Sequence, residues 1–383
     1  MKKKIIIILT LPLIILSGCW DVNEPERMLY VLGIGVDYKD DQYEIYSQII
    51  DFTNVAKSEQ PPNQEAIQAE VGLATGRNID EAYFNLYHSM DQKLFWGHFS
   101  YIVFSEEVLK NERVNPIITS FMQFYNTRYQ TWIYSTEDDV KDVMLAKPII
   151  NKSITLSKLS DPMNSYKQES FIEPINFRKM ILRLNEPGHE VNIPYVKISE
   201  NWESVKGAQK VTHIEGVGIL SKEEFKGFIK KDKAKGLQWM TDDTKRGEIT
   251  IHHEEAGLLT VILEKIRVKV KPIVDGESVQ FDIDFKANAV LSGFSGEVTN
   301  KIIREAVEKA IKRDIEDTYE EALKMGADVY RLSEIVYRKE LKTWKKIQEN
   351  GLIPLTEDSI RNIEVHLEEI SSGRKSFKES INK

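Results

Sequence analysis

The chain contains a single cysteine, Cys19, and its position limits how everything after it can be held together. Before it stand Met1-Lys2-Lys3-Lys4, an apolar run from Ile5 to Leu16 interrupted only by Thr10 and Pro12, and the small residues Ser17 and Gly18. A positive start, a short apolar core and small residues at the processing point describe an export signal, residues 1–18, which is removed and takes no part in the fold. Read as an uncleaved membrane anchor, the twelve residues Ile5–Leu16 would span only about 18 Å against a hydrocarbon core of roughly 30 Å. With one cysteine there is no internal disulfide and no thiolate metal cluster, so the exported body has to be stabilised by its hydrophobic cores.

Leu16-Ser17-Gly18-Cys19 resembles the lipobox of bacterial lipoproteins. In that chemistry the sulfur of Cys19 receives a diacylglycerol, the peptide bond before it is cut, and the new α-amino group can be acylated. The competing reading, an ordinary cysteine near an ordinary signal, does not account for the only cysteine falling at that spacing. One myristoyl-length chain binds a membrane marginally and two hold stably, so a diacylglyceryl Cys19 is a sufficient anchor. Removing 18 of the 383 residues leaves 365, enough for two or three domains with their own cores. The formal charge of −8 becomes −11 once the three signal lysines leave. Such an acidic body is not drawn to an anionic bilayer, so the lipid rather than a basic face is expected to hold it there, and nucleic acid is excluded as a partner. No other run of about 18 apolar residues is present, and no second membrane crossing is expected.

Periodicity predicts an elongated α+β protein of several mixed α/β domains. In the first, residues 19–147, Met28–Val36 and Tyr43–Phe52 read as strands joined at Asp40-Asp41, residues 53–64 as a loop, and Ala66–Ala74 as a third strand. Asn78 with Glu81 three residues on marks a helix start, and Ala82, Leu86 and Met90 give it one apolar stripe. Strands at Phe99–Phe104 and Tyr129–Tyr134 enclose helices from about Glu106 and over Pro116–Tyr125. The middle domain, 148–246, is punctuated by Pro162, Pro174 and Pro187-Gly188, with a helix over Ile175–Leu184, strands at Val191–Ile198, Thr212–Leu220 and Phe225–Ile229, and turns at Gly207 and Gly227. The third domain, 247–383, reads β-β-β-α-α-β. Three strands lead to a long helix from about Gly296 to Lys324 with Ile303, Val307, Ile311 and Ile315 in register, and Gly326 closes it. A second long helix from about Asp328 to Asn350 and a strand over Ile360–Ile370 complete an antiparallel sheet with two helices on one face. The basic tail Arg374–Lys383 reads as solvated.

No constellation carries recognisable chemistry. In a strand, His252 and His253 point to opposite faces and cannot easily share a metal. His98, after Trp96-Gly97 and before a buried strand, reads as a structural hydrogen-bonding residue. There is no His-Glu-x-x-His, no phosphate-binding loop, and Gly293-Phe294-Ser295-Gly296 lacks the glycine spacing of a nucleophile elbow. The acidic residues sit opposite apolar stripes, as solvated charge does. No catalytic, cofactor or metal residue is assigned, and Cys19 is the one candidate site, for lipidation.

Taken in order, several short segments resemble the Ger(x)C spore germination lipoproteins. They begin with the lipobox, Cys19-Trp20-Asp21, Glu26-Arg27 and the run ending Gly33-Ile34-Gly35-Val36-Asp37. Gly76-Arg77 before Asp80-Glu81-Ala82 follows, then Trp96-Gly97-His98 before Ile102-Val103-Phe104-Ser105-Glu106. Gly216-Val217-Gly218-Ile219 before Phe225-Lys226-Gly227 looks like the family's central hairpin, and Gly326-Ala327-Asp328 with Tyr337 and Trp344 like its C-terminal signature. Val36 and Leu220 stand where other apolar or aromatic residues are expected. The resemblance spans nearly the whole chain. It implies the lipoprotein C subunit of a nutrient germinant receptor, on the inner membrane of endospores, assembled with two polytopic membrane subunits. It further implies three mixed α/β domains, no enzymatic activity, no cofactor, and one functional position, the acylated Cys19. A solute-binding lipoprotein feeding a transporter is the alternative; such proteins show two similar lobes of βαβ units, and no part of this sequence repeats another.

Overall fold

The computed structural model describes residues 28–50, 69–123, 128–205, 207–254, 257–294 and 298–372. The signal, Cys19-Trp20-Asp21, Glu26-Arg27, the loop expected at 53–64, Ser295-Gly296 and the tail from Arg374 lie outside the described residues. The described residues form two sheets with helices against them.

The first sheet starts with a meander, β1 (Met28–Lys39), β2 (Gln42–Ile50) and β3 (Ala69–Gly76), each antiparallel to the next. Asp40 and Asp41, both at positive φ (50° and 58°), make the tight β1–β2 turn, a conformation that Asp tolerates better than most residues. Helix α1 (Ile79–Tyr87) follows, with the Asn78 side chain accepting the Glu81 backbone N–H at 2.9 Å, the N-cap the sequence predicts. The short β4 (Lys93–Phe95), β5 (Tyr101–Ser105), α2 (Glu106–Leu109), α3 (Val114–Gln123) and β6 (Trp132–Thr136) come next. After them lie α4 (Val140–Leu145), α5 (Pro162–Gln168), the two-residue β7 (Ile175–Asn176), α6 (Phe177–Asn185), and three strands, β8 (Val191–Ser204), β9 (Gly207–Leu220) and β10 (Phe225–Lys230).

These ten strands form one sheet in the order β10-β9-β8-β6-β5-β1-β2-β3, with β4 beside β1 and β7 beside β6. The strands β1, β5, β6 and β8 are parallel neighbours, so segments assigned from sequence to the first and middle domains share a continuous ladder. Alternation along β5 feeds two cores. Ile102 and Phe104 meet Leu86, Ile117, Phe121 and Met180 on one face, and Tyr101 and Val103 meet Val140, Val143 and Met144 on the other.

The second sheet has the order β11 (Arg246–His253), β12 (Gly257–Asp275), β13 (Ser278–Phe294), β14 (Ile360–Ser372). Helix α7 (Gly236–Trp239) precedes it, and α8 (Asn300–Lys324) crosses its face, burying Ile303, Val307, Ile311 and Ile315 as their four-residue spacing predicts. Gly326, at φ +62°, ends α8. Val217, Ile219 and Ile229 from the first sheet enter this core, so its β9–β10 edge and the second sheet are packed together.

Two expectations for this region are corrected. The second long helix is two short ones, α9 (Leu332–Lys339) and α10 (Leu341–Ile347), meeting at Glu340 (φ −132°). Four residues beyond the buried Val336 the sequence places Glu340, so the apolar stripe stops and Leu341 is 45% exposed instead of packing under α8. The last strand also runs parallel to β13, not antiparallel. A full-length second helix would have carried the chain back along the sheet. The broken pair leaves it at the end where β13 begins, and Ile360 pairs with Phe281 at that strand's start.

Candidate functional site

Charged side chains that read as solvated in the sequence converge where the two sheets meet. The Glu186–Glu190 loop links α6 to β8, Lys226 lies on β10, and the Gly326–Arg331 turn links α8 to α9. Lys226 Nζ contacts Glu190 Oε1 at 2.6 Å and donates to the Gly326 carbonyl. Both side chains are buried, at 9% and 1% exposure. The other Glu190 oxygen accepts the Asp328 backbone N–H at 2.6 Å. Asp328 itself caps α9, accepting the backbone N–H groups of Leu332 at 2.8 Å and Ser333 at 2.6 Å. Burial pushes the Asp328 and Glu190 carboxyls above the usual range, and for Glu190 the pairing with Lys226 works against that rise.

A second pair sits beside the first. His189 Nδ1 lies 2.9 Å from Glu334 Oε2, and Arg338 reaches the other Glu334 oxygen at 2.7 Å and Glu186 at 2.6 Å. Burial alone would raise the Glu334 carboxyl, but His189, Arg331 and Arg338 hold it below its ordinary value. The backbone is equally tight. Gly188 (φ +71°) approaches α9 so closely that a Cβ there would stand 2.9 Å from the Ser333 carbonyl carbon. Asn192 donates to the Val329 carbonyl at 3.0 Å, and Ser333 Oγ accepts the Ile353 N–H at 3.1 Å. A cleft of about 580 Å³ opens over this cluster, with His189, Glu190, Lys226, Glu223, Trp344 and Gln348 among its walls.

Chemically this is a fastening. Buried ion pairs contribute little net stability, but leaving one partner alone is costly, so such a cluster enforces one register between the elements that carry it. Among the described residues no three His, Cys, Asp or Glu side chains are grouped to hold a metal. His252 is exposed and His253 half-buried at the end of β11. His98 packs edge-on against Tyr30 at 5.8 Å and lies 6.2 Å from the Phe95 ring; burial, then Arg128, lowers its pKa. Cys19 lies outside the described residues. The sequence reading missed His189, Glu190 and Glu334. In the sequence Lys226 and Gly326-Ala327-Asp328 belong to separate segments of the family resemblance, and Pro187-Gly188 reads only as punctuation.

Those segments belong to a known class. Residues 21–198 match the family model described as the spore germination protein N-terminal domain, and residues 215–373 the one described as spore germination B3/GerAC-like, C-terminal. The fold and both matches define a spore germination protein of mixed α/β architecture. The chain belongs to the GerAC, or Ger(x)C, family. It is 21% identical over 351 residues to spore germination protein B3 of Bacillus subtilis (strain 168), covering 88% of this chain and 89% of that protein. To spore germination protein KC of the same organism it is 20% identical over 387 residues, covering 91% and 90%. The crystal structure of the GerBC protein superposes with a TM-score of 0.55 at 15% identity, over 89% of this chain and 97% of that one, and shares the fold.

Proposed function

We propose that this chain is the lipid-anchored C subunit of a spore nutrient germinant receptor, working as a scaffold and not as an enzyme. The observation that carries this reading is the pairing of a sole cysteine at a lipobox position with family matches over both halves of the chain. Cys19 takes the diacylglycerol, the export signal leaves, and the body stands outside the cytoplasm on the spore inner membrane. No helix among the described residues is long and apolar enough to cross a membrane, so a lipid is the attachment the reading requires. The buried Lys226–Glu190 and His189–Glu334 pairs fit a subunit that presents a fixed surface to polytopic membrane partners. The two sheets, one of ten mixed strands and one of four, are unlike each other, which speaks against the two similar lobes of a solute-binding lipoprotein.

The test is affinity purification of the tagged chain from detergent-solubilised spore membranes, with its companions identified by mass spectrometry. Two polytopic membrane proteins are expected in defined proportion, and deletion of the chain should abolish the germination response to one nutrient class. Recovery with the components of a solute transporter, with germination intact, would refute the proposal.

A further inference from the structure

From Ala146 to Ser160, between α4 and α5, the chain has three lysines and no acidic residue, although the whole sequence carries a net charge of −8. Lys147 and Lys152 are exposed, and so are Leu145 (38%), Ile150 (82%) and Leu156 (61%). Ile150 also stands in the left-handed region (φ 60°, ψ 33°), where a β-branched side chain is a genuine outlier. Large apolar side chains displayed among lysines, at the cost of backbone strain, are features of a surface that meets something apolar and anionic.

Where this segment sits names the occupant. Strands β1, β5 and β6 are parallel, so Met28 and Trp132 begin at one end of the sheet. Tyr30 and Trp132, near the starts of their strands, share one apolar cluster with Ile154 and Leu159. The Tyr134 hydroxyl donates to the carbonyls of Lys158 and Leu159 at 3.2 and 3.0 Å, and Gln48 Nε2 donates to the Met144 carbonyl at 2.5 Å, holding the segment against that end. Cys19 is nine residues before Met28, and nine residues reach at most about 30 Å. A lipid on Cys19 therefore keeps this end of the sheet near the bilayer. Trp202 and Val205, exposed at the β8–β9 turn, point away from this end, because β8 runs parallel to β6 and continues past its far end.

We propose that Leu145–Leu156 is a second membrane contact, in which Ile150 and Leu156 enter the interface of an anionic bilayer while Lys147 and Lys152 meet its headgroups. It rests on the reading of a lipid-anchored chain and adds an orientation: the diacyl anchor holds, and this segment fixes which end faces down. It also revises the expectation that no basic face takes part, since from Ala146 to Ser160 every charged side chain is a lysine.

The test uses the chain from residue 19 with Cys19→Ser, which keeps every described residue and carries no acyl group. It should co-sediment with phosphatidylglycerol vesicles more than with phosphatidylcholine vesicles, and less in high salt. Ile150→Gly with Leu156→Ser should weaken binding roughly tenfold or more, and Lys147→Gln with Lys152→Gln several-fold. Ile150→Gly relieves the positive φ, so its melting temperature should equal or exceed the parent's, which separates lost binding from lost folding. No sedimentation with either vesicle, binding that does not distinguish the two lipids, or variants that bind like the parent would overturn the proposal. So would a dimer in solution abolished by Ile150→Gly, because the face would then belong to a second copy. None of these results touches acylation of Cys19, which is read separately by mass spectrometry.

Discussion

Lys226→Met tests the junction quantitatively. In the native chain Glu190 is 2% exposed and its charge is met by Lys226 Nζ at 2.6 Å and the Asp328 N–H at 2.6 Å. Removing the ammonium leaves a buried carboxylate with one backbone donor, and breaking a buried pair this way typically costs about 3–5 kcal/mol. The carboxyl can limit the loss by taking a proton. From an ordinary pKa of about 4.3, at about 1.36 kcal/mol per pH unit, that protonation costs about 3.7 kcal/mol at pH 7 and about 1 kcal/mol at pH 5. Chemical denaturation followed by circular dichroism should therefore show Lys226→Met destabilised by about 3–4 kcal/mol at pH 7, with the gap shrinking to about 1 kcal/mol at pH 5. Glu190→Gln with Lys226→Met should recover most of the loss, because the amide oxygen can still accept the Asp328 N–H. A single variant within about 0.5 kcal/mol of the parent, or a loss of the same size at both pH values, would mean that Lys226 does not hold the Glu190 charge.

Three further outcomes follow from packing and charge. Ile311→Ala, at a fully buried position on α8, should cost about 2–5 kcal/mol in thermal or chemical unfolding, whereas Lys312→Glu on the outer face should cost about 0.5 kcal/mol through repulsion with Glu308. Gly188→Ala should destabilise by about 1–3 kcal/mol and speed proteolysis at the α6–β8 loop, since its methyl meets the α9 backbone and its φ is positive. Asp314 is buried and accepts the Trp239 indole N–H at 3.1 Å; burial raises its pKa, so the folded state binds its proton more readily than the unfolded state and stability falls as pH climbs through that window. Asp314→Asn keeps an acceptor without the charge, so it should melt higher than the parent at neutral pH and lose that advantage below the ordinary carboxylate range.

Much of the fold was legible because local chemistry and tertiary structure agree. Asn78 with Glu81 specifies a cap, Gly326 a helix end, and Ile303 to Ile315 a buried stripe, and each is found where its pattern places it. The strands β8 and β9 extend beyond the predicted Val191–Ile198 and Thr212–Leu220, because alternation is readable only where one face is buried, and Ser199–Ser204 are largely exposed. The break at Glu340 shows in the sequence as an interrupted apolar stripe, flanked on both sides by good helix formers. The junction was not legible. Glu190 and the Asp328 N–H it accepts are 138 residues apart, and a buried Glu and a solvated one are the same letter until the fold brings a lysine to one of them. What the sequence did carry was Lys226 and Gly326, which stand in segments of the family resemblance, and Gly188, whose close approach to α9 reads in the sequence only as a turn signal.

The mature protein should begin at an acylated Cys19. This start is read most directly by mass spectrometry of the N-terminal peptide of the chain purified from spore membranes. The expected peptide starts at Cys19 and carries a diacylglycerol on sulfur, and Cys19→Ala should leave an unprocessed chain without that modification. An N-terminal peptide that begins elsewhere, or an unmodified Cys19 in membrane-bound protein, would contradict that expectation.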